Sequence, residues 1–475
     1  MHRGAQWQDS GHHQLRALTH ELVNEYGLAL SHPLHQWLCR ASIAILPVEP
    51  SVACTFVSAV TGATAVANVF GCVFMVTRRR EAGLFAAISL GFAATFWQMS
   101  TLTESYTLCA ALLAGECWAL AGLMRHRRAG WAYAAAMCNG LGIANHMLAS
   151  LTTPVVALVL LTEWRNQPYF RAKQLWIAAA AWVVGSMPYT FLILEEAVRT
   201  GDLMAAIHSA LFGTINNEVN VLNTGLTMRV LLIDVAFPIY NFPNLLIPAA
   251  MVGLMRPARI GVPVTLRRAF LAALVIHAVF ILRYNISDQH TFFLPLYTML
   301  AILGGIGGAV VLQSTRWARL RVLAIVLLVL TPVFYFLFPS IARPMNVLAG
   351  QEYSKPYRDD YVYVFTPWMR ADISAERMST EAVALAGPDG MILYEDEMAR
   401  FALRYKAERA GTRDDVTITF TQDLESMVPV VEAVGRNRPV VLVPVHRDKP
   451  KTEAPLGQWS RRGDLYVLDA KAVGG

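Results

Sequence analysis

Long apolar runs recur from about residue 51 to 338, and several reach 18 residues or more. No other feature narrows the fold as sharply, because a predominantly apolar stretch of that length is long enough to cross a bilayer as a helix. Candidate spans lie at about 51–77, 83–100, 105–124, 131–147, 149–163, 174–194, 230–254, 267–283, 293–313 and 322–338. Some are short, and the fourth and fifth read as broken or tilted helices. Composition agrees: 55% of the residues are hydrophobic and 16% charged, against about 25% charged in an average soluble domain. The expectation is a mainly α, polytopic membrane helical bundle of about ten spans.

The net charge of +6 carries no nucleic-acid signal, because the basic residues sit in short clusters between apolar runs. "RRR" at 78–80, "RHRR" at 125–128, "WRNQPYFRAK" at 164–173, "RPARIGVPVTLRR" at 256–268 and "RWARLR" at 316–321 fall at every second boundary. The boundaries between them, "TLTE" at 101–104, "ANH" at 144–146, "EEAVRTGD" at 195–202 and "YNISDQH" at 284–290, are poor in Lys and Arg. The positive-inside rule places the basic set in the cytoplasm and the other set outside. Residues 1–50 then form an external segment with amphipathic helices, residues 51–338 the transmembrane domain, and residues 339–475 a further external region. An external N-terminus with no span before it predicts an apolar helix upstream of Met1, or else a reversed first segment.

The last region changes character. "GMILYEDE" at 390–397 follows a Pro-Asp-Gly turn signal, and "VTITFT", "PVVLVPV" and "DLYVLD" read as strands. Amphipathic stretches such as "DLESMVPVVEAVGRNR" alternate with them, which predicts a small α/β domain with a mostly parallel sheet. "NVLNTGLT" at 220–227 reads as part of a long external loop. The six cysteines show no CxxC spacing and are read as buried apolar thiols. No GxGxxG or phosphate-binding loop is present.

The outward boundaries share an unusual set of groups: Asp9, His12 and His13; His32, Pro33 and His35; Glu104; Asn145 and His146; Arg283, Tyr284, Asp288, Gln289 and His290. Each has an ordinary reading. Asp9 fits a helix N-cap, Glu104 the positive end of a helix dipole, Asn145–His146 a hydrogen-bonded helix break, and Arg283 a snorkelling side chain. Together, on one side of a membrane, they suit a site that binds an anionic lipid-linked group and moves a proton.

The same residues carry a resemblance. Asp9-Ser10-Gly11, His32-Pro33, Phe96-Trp97 with Glu104-Ser105-Tyr106-Thr107-Leu108, Gly142 with Asn145-His146, and "SDQHTFFLPLY" at 287–297 resemble, in order and spacing over about 300 residues, a bacterial family of polytopic membrane proteins related to transmembrane protein O-mannosyltransferases. His12 stands where that family has Glu, and Leu34 where it has a second Pro. The resemblance implies a glycosyltransferase of the GT-C type in a bacterial inner membrane, with its C-terminal domain external. It implies a polyprenyl-phosphate sugar as donor and a hydroxyl on a protein or glycan as acceptor, with membrane lipids and no nucleic acid as further partners. Asp9 would be the base and Glu104 a second carboxylate. His32, Tyr106, Asn145, His146, Arg283, Asp288 and His290 would contact donor or acceptor. No cofactor is identified, no metal ligands are assigned, and a divalent ion is left open. An inactive scaffold relative and a lipid-linked sugar transporter are the competing function classes.

Overall fold

The computed structural model describes residues 2–214, 225, 227–284, 288–312, 318–348, 354–412, 415–421, 438–448 and 459–468. Most of the 220–227 loop and nearly all of the amphipathic stretch at 423–438 lie outside them.

Two helices precede the first span: α1 (Gln8–Thr19) and α2 (Pro33–Ile45). Proline at the first helical position of α2 lacks an N–H that would have no partner there. The bundle follows as α3 (Pro50–Thr77), α4 (Arg80–Gly91), α5 (Ala94–Thr101), α6 (Tyr106–His126), α7 (Ala129–Asn145), α8 (Thr153–Asn166), α9 (Ala172–Thr200) and α10 (Leu203–Phe212). It continues as α11 (Met228–Asn241), α12 (Leu246–Met255), α13 (Val264–Arg283), α14 (Gln289–Phe292), α15 (Leu294–Leu312) and α16 (Ala318–Ala342). Among the described residues seven helical segments are long and apolar enough to cross a membrane, or nine if each of two bent pairs is one span. The remaining candidate, 131–147, is α7, a helix of 17 residues.

The bent pairs are α4–α5, turned by 65°, and α11–α12, turned by 104°. A break inside a membrane exposes backbone groups that need partners, and here the two breaks supply each other. Asn241, at the second break, accepts the Thr95 N–H at the start of α5 (2.7 Å), and its carbonyl accepts the Tyr335 hydroxyl of α16 (2.9 Å). Asn244 caps α12 through the Leu246 N–H (2.9 Å). Helices α6 and α15 are largely buried, whereas α16 turns most of its length outward. Close approach of α15 to α12 needs glycine. A Cβ on Gly307 would lie 1.8 Å from the Ala249 carbonyl oxygen, and one on Gly253 would lie 2.1 Å from that of Leu303.

The C-terminal domain contains α17 (Asp360–Phe365), α18 (Ser374–Ala386), β1 (Met391–Tyr394), α19 (Glu397–Ala410), β2 (Thr417–Phe420), β3 (Val440–Val443), β4 (Trp459–Arg462) and β5 (Leu465–Leu468). The strand order is β2-β1-β3-β5-β4. Pairings β1–β2 and β1–β3 are parallel, whereas β3–β5 and β4–β5 are antiparallel. The expected strands are present, but only half of the sheet's pairings are parallel. One antiparallel pairing joins β3 to β5, and the other is made by β4, which the polar "WSRR" disguises. It folds back on β5 through a two-residue turn at Gly463, whose φ of 62° suits glycine.

The first residues of the chain do not stand apart from this domain. Ala5, Trp7 and Leu15 share a core with Met378, Phe401 and Tyr405. Trp7 Nε1–H donates to Ser374 Oγ (2.8 Å) and the Ala5 N–H to Glu376 Oε2 (2.7 Å). Both regions lie at one end of the bundle: Gln98 donates to the Tyr363 carbonyl (3.2 Å) and Thr101 to that of Pro367 (3.3 Å).

Candidate active site

At that end three carboxyl groups from distant stretches converge. Asp9 lies in the first turn of α1; the N-cap position is held by Trp7, so Asp9 is not the cap. A Cβ on Gly11 would lie 2.2 Å from the Gln6 carbonyl oxygen, so glycine lets the chain fold back tightly beside Asp9. Glu104 occupies the short link between α5 and α6. Its backbone is held on both sides by Ser58, which accepts its N–H (2.9 Å) and donates to its carbonyl (3.1 Å). Gln6 accepts the neighbouring Thr103 N–H (2.9 Å). Ser10 Oγ donates to the Glu104 carboxylate, which is 6% exposed. Asp288 precedes α14, and Gln289 ties that turn to the end of α13 through the Ile281 carbonyl (2.9 Å).

The three groups feel one another. Burial, and then the charges of Asp9 and Asp288, push the Glu104 carboxyl well above the usual range against the opposing bond from Ser10. Burial raises Asp9. Burial and the neighbouring Asp9 push Asp288 up to about 7. Like charges held together in a partly dry site resist joint ionisation, so the group retains a proton to higher pH than isolated carboxyls would. Among the described residues no three His, Cys, Asp or Glu side chains are grouped to hold a metal ion.

Beside the carboxyls runs a row of buried rings. His35 and His13 have centroids 4.8 Å apart, His13 and His32 5.4 Å, His32 and His146 4.7 Å, and His146 and Tyr106 5.3 Å. Hydrogen bonds fix their orientations. His32 donates Nδ1–H to the Asn145 carbonyl (2.8 Å), His146 Nδ1 accepts the Leu148 N–H (3.1 Å), and the Gln36 amide donates to His13 Nδ1 (2.9 Å). Burial lowers His32 to about 4 and His35 to about 3, and drives His13 and His146 well down. These rings are neutral near pH 7. They orient hydrogen bonds and supply no positive charge to a phosphate. Asn145 donates its amide to the Ser105 carbonyl (3.0 Å), while Asn145 Oδ1 and Ser105 Oγ are buried without a hydrogen-bond partner. Such atoms cost about 1–3 kcal/mol each unless water or a ligand meets them.

Two expected contacts stand differently. Arg283, the last residue of α13, is exposed. His290 is only half-buried, with its ring 6.5 Å from Phe237. A buried arginine that sequence reasoning missed is Arg358, beyond the last span. It is 6% exposed, lies over Tyr363 (4.3 Å) and Trp7 (5.6 Å), and bonds Asp360 through Nε (2.6 Å). Its Nη1 is buried with no hydrogen-bond partner among the described residues. "KPYRDDY" offers no motif, and only the fold carries it back to Trp7. Arg16 was also missed. Fully buried, it donates to the carbonyls of Leu22, Leu30 and Ser31, shaping the loop that delivers His32.

Comparison with known proteins accords with this arrangement. Residues 29–169, which contain His32, Glu104, Tyr106, Asn145 and His146, match the family model for the protein O-mannosyl-transferase TMEM260 N-terminal domain. The fold is similar to that of ArnT from Cupriavidus metallidurans bound to undecaprenyl phosphate. The TM-score is 0.60 at 14% identity, covering 100% of this chain and 95% of that one. The apo state of the same protein gives 0.59 at 16% identity with the same coverage. At such identities the likeness is one of fold, and that fold is of the GT-C type. No curated protein sequence matches the chain.

Proposed function

We propose that the protein is a membrane glycosyltransferase that moves a sugar from a polyprenyl-phosphate carrier to a hydroxyl acceptor at the face where Asp9 and Glu104 lie. The observation that carries this reading is the meeting of Asp9, Glu104 and Asp288, drawn from three separate stretches of chain. Glycosyl transfer passes through an oxocarbenium-like state. It needs a carboxylate to take the acceptor proton and a cation to steady the departing phosphate. The undecaprenyl phosphate in the similar ArnT structure supports a lipid phosphate as the leaving group.

In this reading the acceptor hydroxyl gives its proton to Asp9 as its oxygen bonds the anomeric carbon. The bond from that carbon to the phosphate oxygen breaks, and the polyprenyl phosphate leaves with both electrons. Asp9, half-buried, is the base that an acceptor reaches. Glu104, held in place by Ser10 and Ser58, is the second carboxyl and orients the acceptor or the sugar beside Asp9. Arg358 Nη1–H is the donor for the phosphate, in place of Arg283. His32 and His146, neutral and oriented, bond sugar hydroxyls together with Asn145 Oδ1. The external face, the bacterial inner membrane and any divalent metal belong to the same proposal. The division into residues 1–50, 51–338 and 339–475 does too, with the first and last parts working as one unit.

The test is transfer from polyprenyl-phosphate sugars to a hydroxyl acceptor by the full chain in proteoliposomes. The reading expects transfer from at least one common donor. Absence of transfer from all of them overturns it in favour of a scaffold.

A further inference from the structure

Helices α3, α6 and α13 each have one end near the carboxylates. Their other ends meet too, around a cavity of about 420 Å³ lined by Arg78, Arg125, His126, Met75, Met124 and Pro263. The length of α6, at 1.5 Å per residue, puts this cavity about 30 Å from Glu104. The two sites therefore lie on opposite sides of the bundle.

Its chemistry is amphipathic. Arg78 ends α3 with φ 60°, and Arg125 Nη1 reaches the Met75 carbonyl at 3.4 Å. Neither arginine makes an ion pair among the described residues, and no carboxylate lines the cavity. The two methionines form an apolar wall. Trp131 stacks on His126 (5.9 Å, 14° between planes), an aromatic ring of the kind that settles where acyl chains give way to headgroups.

We propose that this cavity binds the phosphate of an anionic phospholipid in the leaflet opposite the candidate active site. The arginines take the phosphate, and the acyl chains leave along the methionine wall into the bilayer. Bound lipid would hold the ends of α3, α6 and α13 together. The assignment is independent of the transfer reading, because none of its residues belongs to the carboxylate site.

The experiment uses the full chain, purified in detergent and stripped of lipid. Binding and thermal unfolding are followed with phosphatidylglycerol, with phosphatidylcholine of the same chains, and with inorganic phosphate. Phosphatidylglycerol should bind and raise Tm; phosphatidylcholine and inorganic phosphate should do neither at matched concentration. Each arginine near a membrane surface contributes about fivefold, so the double variant Arg78→Ala/Arg125→Ala should lose roughly 25-fold in affinity for phosphatidylglycerol. The control Arg165→Ala/Lys173→Ala, in another basic cluster of the same face, should lose nothing. Equal binding of both lipids overturns the proposal, as does full protection by inorganic phosphate, which would make this a free-anion site. An unchanged double variant, or an equal loss in the control, also overturns it. The exposed position of both arginines makes misfolding an avoidable confound, and unchanged gel-filtration behaviour of the double variant checks it.

Discussion

The two ends of α6 pose opposite electrostatic problems. Near Tyr106 most of the ionisable groups are buried: Glu104, four imidazoles and Arg358 sit among rings and helix termini with Asp9 half-buried, and several have their protonation pushed off its ordinary range. Near His126 the arginines at 78–80 and 125–128 are largely exposed to water or headgroups. Burying charge costs several kcal/mol unless partners compensate, so only the first end has charge placed against the interest of stability. The exposed arginines settle orientation and membrane contact; the buried groups have a cost that folding alone does not explain. Work done by the protein should therefore respond to changes at one end and stability in lipid to changes at the other.

The largest expected effect breaks or upholds that division directly. Asp9→Asn should lower transfer by about 10²–10⁴-fold while leaving Tm and donor binding nearly unchanged. A fully active variant would move the base elsewhere, with Glu104 next. Arg358→Ala should weaken donor binding by roughly 10- to 100-fold, the range of a charge-assisted hydrogen bond, and alter KM more than kcat. Equal donor affinity in this variant would remove Arg358 from the site. Asp288→Asn sharpens the picture through pH. Its effect on stability has a definite sign. The folded chain holds the Asp288 proton up to about 7, above an unfolded value of about 4, so this residue's contribution to stability declines as pH rises between those values. The Asn variant should lack that decline, and identical pH–stability curves would refute the assignment. The smallest effect is expected at the far end: Arg78→Ala should leave kcat within about twofold in detergent, since the residue is about 30 Å from Glu104. A large loss would mean that the two ends are mechanically linked.

Much of the bundle was legible because membrane hydrocarbon permits so little. The apolar runs marked the helices, and the spacing of arginines marked their ends. The bends at Phe92–Ala93 and around Asn244 were less legible, because their cause is pairing between Asn241 and Thr95, 146 residues apart. Order and spacing singled out Asp9, Glu104, Tyr106, Asn145 and His146, which the fold brings to one end of the bundle. Charge state was not legible: His32 and His146 read only as donor or acceptor contacts, and burial lowers both imidazoles. Arg283 looked suitable from its position at a span's end, where exposure is the ordinary outcome for an arginine. Arg358 was invisible because its partners, Trp7 and Tyr363, become neighbours only after the whole bundle is wound between them.

That winding sets the order in which the protein becomes competent. Trp7 is fastened to Ser374, 367 residues downstream, and His12 lies flat on Phe401 at 3.8 Å. The turn that presents Asp9 is thus among the first parts synthesised and among the last to acquire its support. A nascent chain halted after the spans would sit in the membrane with its candidate base unanchored and its arginine unmade. The support of the Asp9 turn therefore waits on the C-terminal domain, which is made after all the spans.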